Sequence, residues 1–237
     1  MLFRSLGCLH FLRLLVLIAT VSAGFSACGG GGGGGSAGDK ESSITGVRVL
    51  HAAIDAAPID VFVRGVNEAV AKQAFFGVDN GYHELPSGPL NLTFTRASTP
   101  SVVVGTASVT ANSQSRFSVL LYGDNSTFGL RTALLTDESP ADSENALLRI
   151  VDGVTAAAEI SAEISSGVFE DSTQVSFGKA SRYLAIPPGV VSIRVNRVAD
   201  GRSVAATTAT LEAGREYTYL VAGEVQFYVK GLLLQDK

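Results

Sequence analysis

The sequence predicts an all-β protein built from two tandem antiparallel β-sandwich domains, Ig-like or transthyretin-like, behind a signal peptide and a Gly-rich tether. Three observations predict this fold class. Short runs alternate between apolar and polar residues, turn residues separate these runs at intervals of about 8–12 residues, and the whole pattern occurs twice. Helical periodicity is weak everywhere, and the one tempting stretch, residues 66–76, is predicted to be strand or irregular because glycines bound it.

Residues 1–27 have the parts of an export signal. Arg4 and Arg13 precede an apolar run over residues 14–23, and small residues follow it. Ten apolar residues are too few to span a bilayer, which needs about 20. The stretch GFSAC, which ends at Cys28, resembles the lipobox of bacterial lipoproteins. That resemblance implies cleavage before Cys28 and lipidation of its sulfur, with palmitate as a typical acyl chain; an ordinary secretory signal with a coincidental Cys remains the alternative.

Two further features favour lipidation. Cys8 would leave with the signal peptide, so Cys28 would be the only thiol of the mature chain, and an unpaired thiol outside the cell is otherwise a liability. Residues 28–45 are rich in Gly and Ser and predict a tether that cannot bury apolar surface. By analogy with lipoprotein sorting in Gram-negative bacteria, Gly29 after the Cys favours the outer membrane, so the expected location is the bacterial cell envelope.

An internal repeat divides the remaining chain. At an offset of 101 residues Tyr82 meets Tyr183, and LPSG at 85–88 meets IPPG at 186–189. The following strands agree in the phase of their apolar residues, as half-buried strands require, and LLTD near the end of the first copy meets LLQD near the end of the second. The predicted domains are therefore 46–137 and 146–237. The polar residues 138–145 form the predicted linker, and the acids of 137–144, which lack the glycine of a calcium loop, are expected to be solvated.

The start of the first copy resembles a known family. Its members begin with an Arg, an apolar pair, His-Ala, an Asp-Ala-Pro turn and a Val-Asp-Val strand, and the matching residues here are Arg48, His51, Ala52, Asp55, Pro58 and Asp60. On these residues the chain is similar to the domain of unknown function 4397 family over residues 46–237. The resemblance implies a bacterial cell-envelope protein with tandem β-sandwiches, often lipid-anchored. It supplies no catalytic residues, because the family has no established activity.

The candidate ligand site consists of His51, Asp55 and Asp60, which could be metal ligands or an acid/base set. The second copy has Asp152, Ala156 and Ser161 at the corresponding positions, so the fold does not require the first set. A structural interpretation is favoured, in which Asp55 bonds turn amides ahead of Pro58 and His51 caps a strand end. A ligand site kept only in the first copy is the alternative.

Composition narrows the function classes. Loss of residues 1–27 would remove Arg4 and Arg13 and no acid, which leaves 16 basic against 22 acidic residues. An acidic body without a basic cluster is a poor nucleic-acid binder, and the absence of Trp weighs against a lectin. Tyr217, Tyr219 and Tyr228 could form an exposed aromatic face, although core and rim packing is the favoured interpretation.

The expected function is that of a lipid-anchored, non-enzymatic structural or interaction module. Its expected contacts are the membrane, through lipid on Cys28, and an envelope protein or glycan partner of unknown identity, without nucleic acid, cofactor or metal. An ion-dependent or glycan-binding surface adhesin is the alternative. A hydrolase that uses His51 and nearby acids is a distant third, because nothing in the sequence marks a nucleophile.

Overall fold

The computed structural model describes residues 44–125 and 129–236, and in these ranges the chain forms sixteen β-strands and no helix. The predicted signal peptide and Cys28 lie outside the described residues. Eight strands form the first copy: β1 (Ile44–His51), β2 (Ile59–Val63), β3 (Ala69–Ala74), β4 (Tyr82–Pro86), β5 (Gly88–Arg96), β6 (Thr99–Ala111), β7 (Arg116–Tyr122) and β8 (Arg131–Thr136). Because β1 begins at Ile44, the last two residues of the predicted tether already belong to a strand.

The second copy repeats the first strand by strand. Its elements are β9 (Ala146–Thr155), β10 (Glu159–Ser166), β11 (Phe169–Ser176), β12 (Leu184–Ile186), β13 (Gly189–Arg197), β14 (Ser203–Leu211), β15 (Glu216–Glu224) and β16 (Tyr228–Gln235). The tempting stretch at 66–76 contains β3, so its assignment as strand or irregular is correct.

Each copy is a sandwich of two four-stranded sheets. In the first copy the strand orders are β4-β1-β7-β8 and β3-β2-β5-β6, and in the second they are β12-β9-β15-β16 and β11-β10-β13-β14. All pairs are antiparallel except β1 with β7 and β9 with β15, which are parallel. The all-β sandwich prediction is confirmed. Each copy thus has eight strands, whereas an immunoglobulin sandwich has seven or nine.

The alternation of apolar residues explains each interior. On β5 the side chains of Leu90, Leu92 and Phe94 are buried, and on β13 the corresponding Val191, Ile193 and Val195 are buried as well. These side chains belong to two separate apolar clusters, one inside each sandwich. The turns that lead into these two strands need glycine. Gly88 has φ 120° and Gly189 has φ 130°, a region that other residues rarely adopt.

A third apolar cluster lies between the sandwiches. Its buried members come from β1, β7 and β8 of the first copy, from β9, β15 and β16 of the second, and from the residue after β1: Leu50, Ala52, Leu120, Leu135, Val151, Leu220, Ala222 and Leu234. The β4-β1-β7-β8 sheet therefore packs on the β12-β9-β15-β16 sheet. The two sheets approach closely at Gly153, where an added Cβ would lie 2.5 Å from the Cβ of Ala52. Contacts group the described residues of both sandwiches as one compact unit.

Burial on both sides explains why the central strands lack alternation. Every residue of β9 is buried, and β15 is buried along all but its last residue. One face of each strand points into its own sandwich, and the other points towards the other copy. A strand that is covered on both faces reads as a nearly continuous apolar run. Within the described residues, no helix is long and apolar enough to cross a membrane.

Candidate functional site

The predicted site residue His51 ends β1 and is buried. Its Nε2 lies 3.3 Å from the carbonyl oxygen of Ala57, and its ring meets Phe76 edge-on, with the ring centroids 6.5 Å apart. Burial lowers the pKa of His51, because desolvation disfavours the charged imidazolium. The imidazole ring is therefore neutral at pH 7 and lies buried at the end of β1.

Asp55 is exposed and connects two loops of the first copy. Its Oδ2 accepts a hydrogen bond from the backbone N–H of Asn125 at 2.9 Å, and the Asn125 side-chain amide donates to the Asp55 carbonyl at 2.7 Å. Sequence reasoning expected Asp55 to bond an amide of its own turn. The structure instead gives it a partner 70 residues away, on the loop between β7 and β8.

Asp60 lies on β2, in the other sheet of the sandwich. Its Oδ1 accepts a hydrogen bond at 2.8 Å from the backbone N–H of Gln73, a residue with φ 50° at an irregularity of β3. The three predicted site residues therefore have three separate sets of partners. Across residues 44–125 and 129–236, no three His, Cys, Asp or Glu side chains are grouped so that they could hold a metal ion.

The second copy has a buried carboxyl group where the first has His51. Asp152 is fully buried, and its Oδ1 accepts a hydrogen bond from the N–H of Val154 at 2.9 Å. Its Oδ2 has no hydrogen-bond partner among the described residues. Burial raises the pKa of Asp152 to about 7, since an isolated carboxylate is poorly solvated there.

The largest convergence of polar side chains lies between the copies, and sequence reasoning did not predict it. Each copy contributes an arginine from its first strand, a tyrosine at or directly before the start of its fourth, a hydroxyl residue from its seventh and an aspartate directly after its eighth. We call these eight residues the crossed network: Arg48, Tyr82, Ser118 and Asp137 in the first copy, and Arg149, Tyr183, Thr218 and Asp236 in the second. The tyrosines are half-buried and the other six are buried.

Within the first copy, Asp137 is the common acceptor. Its Oδ2 accepts hydrogen bonds from the hydroxyls of Tyr82 and Ser118, each at 2.6 Å. Nε of Arg48 donates to the Ser118 hydroxyl at 3.1 Å, and the Arg48 guanidinium lies 4.7 Å from the centre of the Tyr82 ring. Burial and the nearby Asp137 charge raise the pKa of Tyr82, so this tyrosine stays a proton donor.

The second copy repeats this arrangement. Oδ2 of Asp236 accepts from the hydroxyl of Thr218 at 2.6 Å and from that of Tyr183 at 2.9 Å. Nε of Arg149 donates to Thr218 at 2.8 Å. The Arg149 guanidinium lies 5.1 Å from the centre of the Tyr183 ring.

Each arginine forms an ion pair with an aspartate of the other copy. Nη2 of Arg48 forms an ion pair with Oδ1 of Asp236 at 2.8 Å, and Nη2 of Arg149 pairs with Oδ1 of Asp137. The two cross-copy pairs are reciprocal, as in an isologous interface, in which one surface meets its own equivalent. At the rim, Arg116 pairs with Glu216 at 3.4 Å. Each arginine thus makes its shortest ion pair with the aspartate of the other copy, while Nη2 of Arg48 also lies 3.9 Å from Oδ2 of Asp137 in its own copy.

Two features of the sequence indicate the crossed network. Arg48 and Arg149 occupy the same repeat position within apolar runs, and both copies end in Leu-Leu-x-Asp. A charge that recurs inside an otherwise buried strand requires a buried partner. The expectation that the acids of 137–144 are solvated is wrong for Asp137, which is 2% exposed, because it neutralises Arg149.

The three tyrosines of the predicted aromatic face lie in different environments. Tyr217 and Tyr219 are buried in the core of the second copy, which is the favoured interpretation. Tyr228 is 55% exposed at the start of β16.

Comparisons with known proteins place the chain in a family. No curated protein matches the sequence. Two crystal structures described as candidate cell adhesion proteins are similar, one from Bacteroides uniformis (6% identity, 81% of this chain and 98% of that chain, TM-score 0.26) and one from Bacteroides ovatus (10%, 81% and 95%, TM-score 0.25). A leucine-rich repeat protein from Bacteroides thetaiotaomicron is similar at 8% identity over 77% of this chain and 26% of its own, with a TM-score of 0.19.

The family comparison is more specific than these likenesses. The model of the family described as "Domain of unknown function (DUF4397)" matches residues 45–163, about half of the 237-residue chain. The match covers the first sandwich and the first strands of the second, and it includes the residues on which the resemblance was identified in the sequence. The chain therefore belongs to the DUF4397 family.

Proposed function

We propose that the protein is a lipid-anchored module of the bacterial envelope, and that its paired sandwiches serve as a rigid, non-enzymatic spacer and interaction body. The crossed network is the observation that carries this proposal. Its arginines and aspartates come from both copies and are buried, and buried charges are stable only while they remain paired. The two copies therefore behave as one body, which suits a module that holds a surface at a fixed distance.

The hydrogen bonding of the crossed network supports a role without catalysis. The Arg, Tyr and Asp side chains of the crossed network converge as catalytic groups do, but they bond to one another. Asp137 and Asp236 each accept two hydroxyl hydrogen bonds and also face an arginine. An active site needs a reacting atom within reach of such groups, and here each group faces another protein side chain.

The orientation of β1 supports a spacer role. The chain leads into the sandwich at Ile44, and β1 extends from there for eight residues to His51, a rise of about 26 Å. The His51 end of β1 is therefore the end farther from the point where the chain enters the sandwich. We call this end the distal end.

Anchoring through Cys28 is tested by substitution. The full chain and its Cys28→Ala variant are expressed in a Gram-negative host with an alkyne fatty acid, and the outer membrane is separated from soluble fractions. We expect label on the wild-type protein and none on Cys28→Ala, which should appear in soluble or uncleaved form because a lipid-anchored body needs its acyl chains to hold the bilayer. Label that persists on Cys28→Ala would refute the anchor. Cys8→Ala is the matched control and should retain both label and membrane association.

A further inference from the structure

The distal end carries a cluster of exposed apolar side chains that the core does not use. The turn after β3 presents Phe75, 49% exposed, and Val78, 43% exposed; the tip of the β15–β16 hairpin presents Phe227, 77% exposed, and Tyr228, 55% exposed. The two segments meet where the ring of the partly buried Phe76 contacts that of Tyr228, and we call these five residues the junction patch. Exposed aromatic side chains that group together are typical of interaction sites.

Both copies build the junction patch. The rings of Phe76 and Tyr228 meet at 64° with their centroids 6.5 Å apart. Lys230 donates a hydrogen bond from Nζ to the carbonyl oxygen of Gly77 at 2.8 Å, which fixes the β16 side of the patch to the turn of the first copy. Because the crossed network holds the copies together, the patch has a fixed shape.

Carboxylates border the junction patch. Glu224 is the direct cross-strand partner of Tyr228, which places the two side chains on the same face of the sheet. Thr155, the neighbour of Glu224 on β9, donates to the Gly123 carbonyl at 3.2 Å, so the loop that contains Asp124 lies beside Glu224. Burial, followed by the charges of Asp124 and Asp55, raises the pKa of Glu224, as expected where like charges are close.

We propose that the junction patch binds a protein segment in which a Lys or Arg lies beside apolar side chains. This inference rests on the proposed role as an interaction module and specifies its partner. Aromatic faces attract cations, and Asp55 and Glu224 supply negative charge at the same end. Among the described residues, Lys230 is the one basic side chain with a contact to the turn after β3. Its ammonium group donates a hydrogen bond to the carbonyl oxygen of Gly77. An anionic membrane surface would be repelled by these carboxylates.

The test uses the full lipidated chain in detergent micelles and an array of 12-residue peptides. Each peptide has two apolar residues on either side of one variable position, which is Arg, Lys, citrulline or Glu. We expect the Arg and Lys peptides to bind at least tenfold more tightly than the Glu peptides. The citrulline peptides should have an intermediate affinity. Binding of the Arg and Lys peptides should weaken with added salt. Phe227→Ser with Tyr228→Ser should lower the affinity at least tenfold, and Glu224→Gln about threefold.

Matched variants keep the test specific. Val168→Ser removes a fully exposed apolar side chain from the β10–β11 turn, and Glu170→Gln removes an exposed carboxylate from β11; neither should change peptide binding. Equal binding of the Glu and Arg peptides, or an equal loss with Val168→Ser, would overturn the proposal, as would the absence of any binding at millimolar peptide. Binding to phosphatidylglycerol vesicles that is lost in Phe227→Ser would also overturn it, because the patch would then be a membrane site. Membrane fractionation of Cys28→Ala tests the anchor separately.

Discussion

Arg48 of the first sandwich and Asp236 of the second form a buried ion pair with 2.8 Å between Nη2 and Oδ1. The pair joins the first strand of one copy to the last residue described in the other. Its counterpart, Arg149 with Asp137, runs in the opposite direction. This reciprocity makes the two sandwiches depend on each other.

The arginine of a crossed pair should be essential for stability. Arg48→Met leaves Asp236 buried without its cationic partner, and we expect a loss of about 3–5 kcal/mol in the free energy of unfolding. The measurement is urea unfolding followed by circular dichroism. Arg197→Met, which breaks the solvent-accessible pair with Asp200, is the control and should leave the midpoint nearly unchanged. Equal effects of the two substitutions would contradict a structural role for the crossed network.

The close approach of Gly153 to Ala52 predicts a compensating pair. Gly153→Ala places a methyl group 2.5 Å from the Ala52 Cβ, so we expect a loss of roughly 1–3 kcal/mol from overpacking. Adding Ala52→Gly should restore most of this loss, because it removes the methyl group that Gly153→Ala meets. A double-mutant cycle by chemical denaturation measures the coupling. Additive effects would show that these strands do not meet as described.

Cleavage between the copies should leave them associated. A protease site introduced near Pro140 in the predicted linker would cut the chain without touching the crossed network. The apolar cluster between the copies and the crossed pairs should hold the cleaved halves together, so they should elute as one species in size-exclusion chromatography and separate only in denaturant. Halves that part at micromolar concentration, each with cooperative β-sheet unfolding, would instead mean that the domains are independent.

Asp152 should make stability depend on pH. Its pKa is raised to about 7 in the folded state, so the folded protein keeps this proton to higher pH than the unfolded chain. The resulting stability is fully present below the unfolded pKa of about 3.9 and is lost as pH rises towards 7. Asp152→Asn should therefore flatten the decline between pH 4 and 7 and gain on the order of 4 kcal/mol over wild type at pH 8, relative to the difference at pH 4, since each pKa unit corresponds to about 1.4 kcal/mol.

Urea midpoints at pH 4, 5.5, 7 and 8 measure this effect. Asp200 is the control, because its hydrogen bond to Arg197 lowers its pKa to about 2. The stability from Asp200 is present above the unfolded pKa and is lost only as pH falls towards 2, so Asp200→Asn should not change the slope above pH 4. An unchanged slope in Asp152→Asn would refute the assignment.

Asp55 should stabilise the contact between its own loop and the loop between β7 and β8. Asp55→Ala removes the hydrogen bond from the Asn125 amide, and we expect a loss of about 0.5–1 kcal/mol at this exposed site, with faster hydrogen exchange at Asn125. Asp60→Ala, in the other sheet, should not change exchange at Asn125. A rise in melting temperature with a divalent metal that disappears in both His51→Ala and Asp55→Ala would favour the ligand-site alternative.

The alternation and the turns determined much of the fold in advance. Leu90, Leu92 and Phe94 lie inside because every second residue of a strand faces the same side, and the repeat places Val191, Ile193 and Val195 in the same role. These relations are local, since they depend only on residues that are close in sequence. The turn glycines and the strand assignment of residues 66–76 follow from the same kind of information.

The candidate site could be predicted only in part. His51 and Asp55 are near one end of the first sandwich as their spacing suggests, but Asp60 lies in the opposite sheet, because residues 52–58 carry the chain from one sheet to the other. Tyr228 is exposed while Tyr217 and Tyr219 are buried, although all three are tyrosines near the end of the chain. The difference arises because Tyr228 lies where a hairpin extends beyond the core.

The sequence by itself predicted an export signal with Cys28 as its lipidation site, and it determined the two-copy organisation and the alternating interior of each sandwich, because these depend on local pattern and on the repeat. Tertiary structure decided which sheets face each other, and with them the partners of Arg48 and Arg149. Those partners lie at least a strand's length away or in the other copy, and no local rule specifies them. A buried charge requires a neutralising group, but only the packing of one sheet on the other determines that Asp236 serves Arg48 and Asp137 serves Arg149.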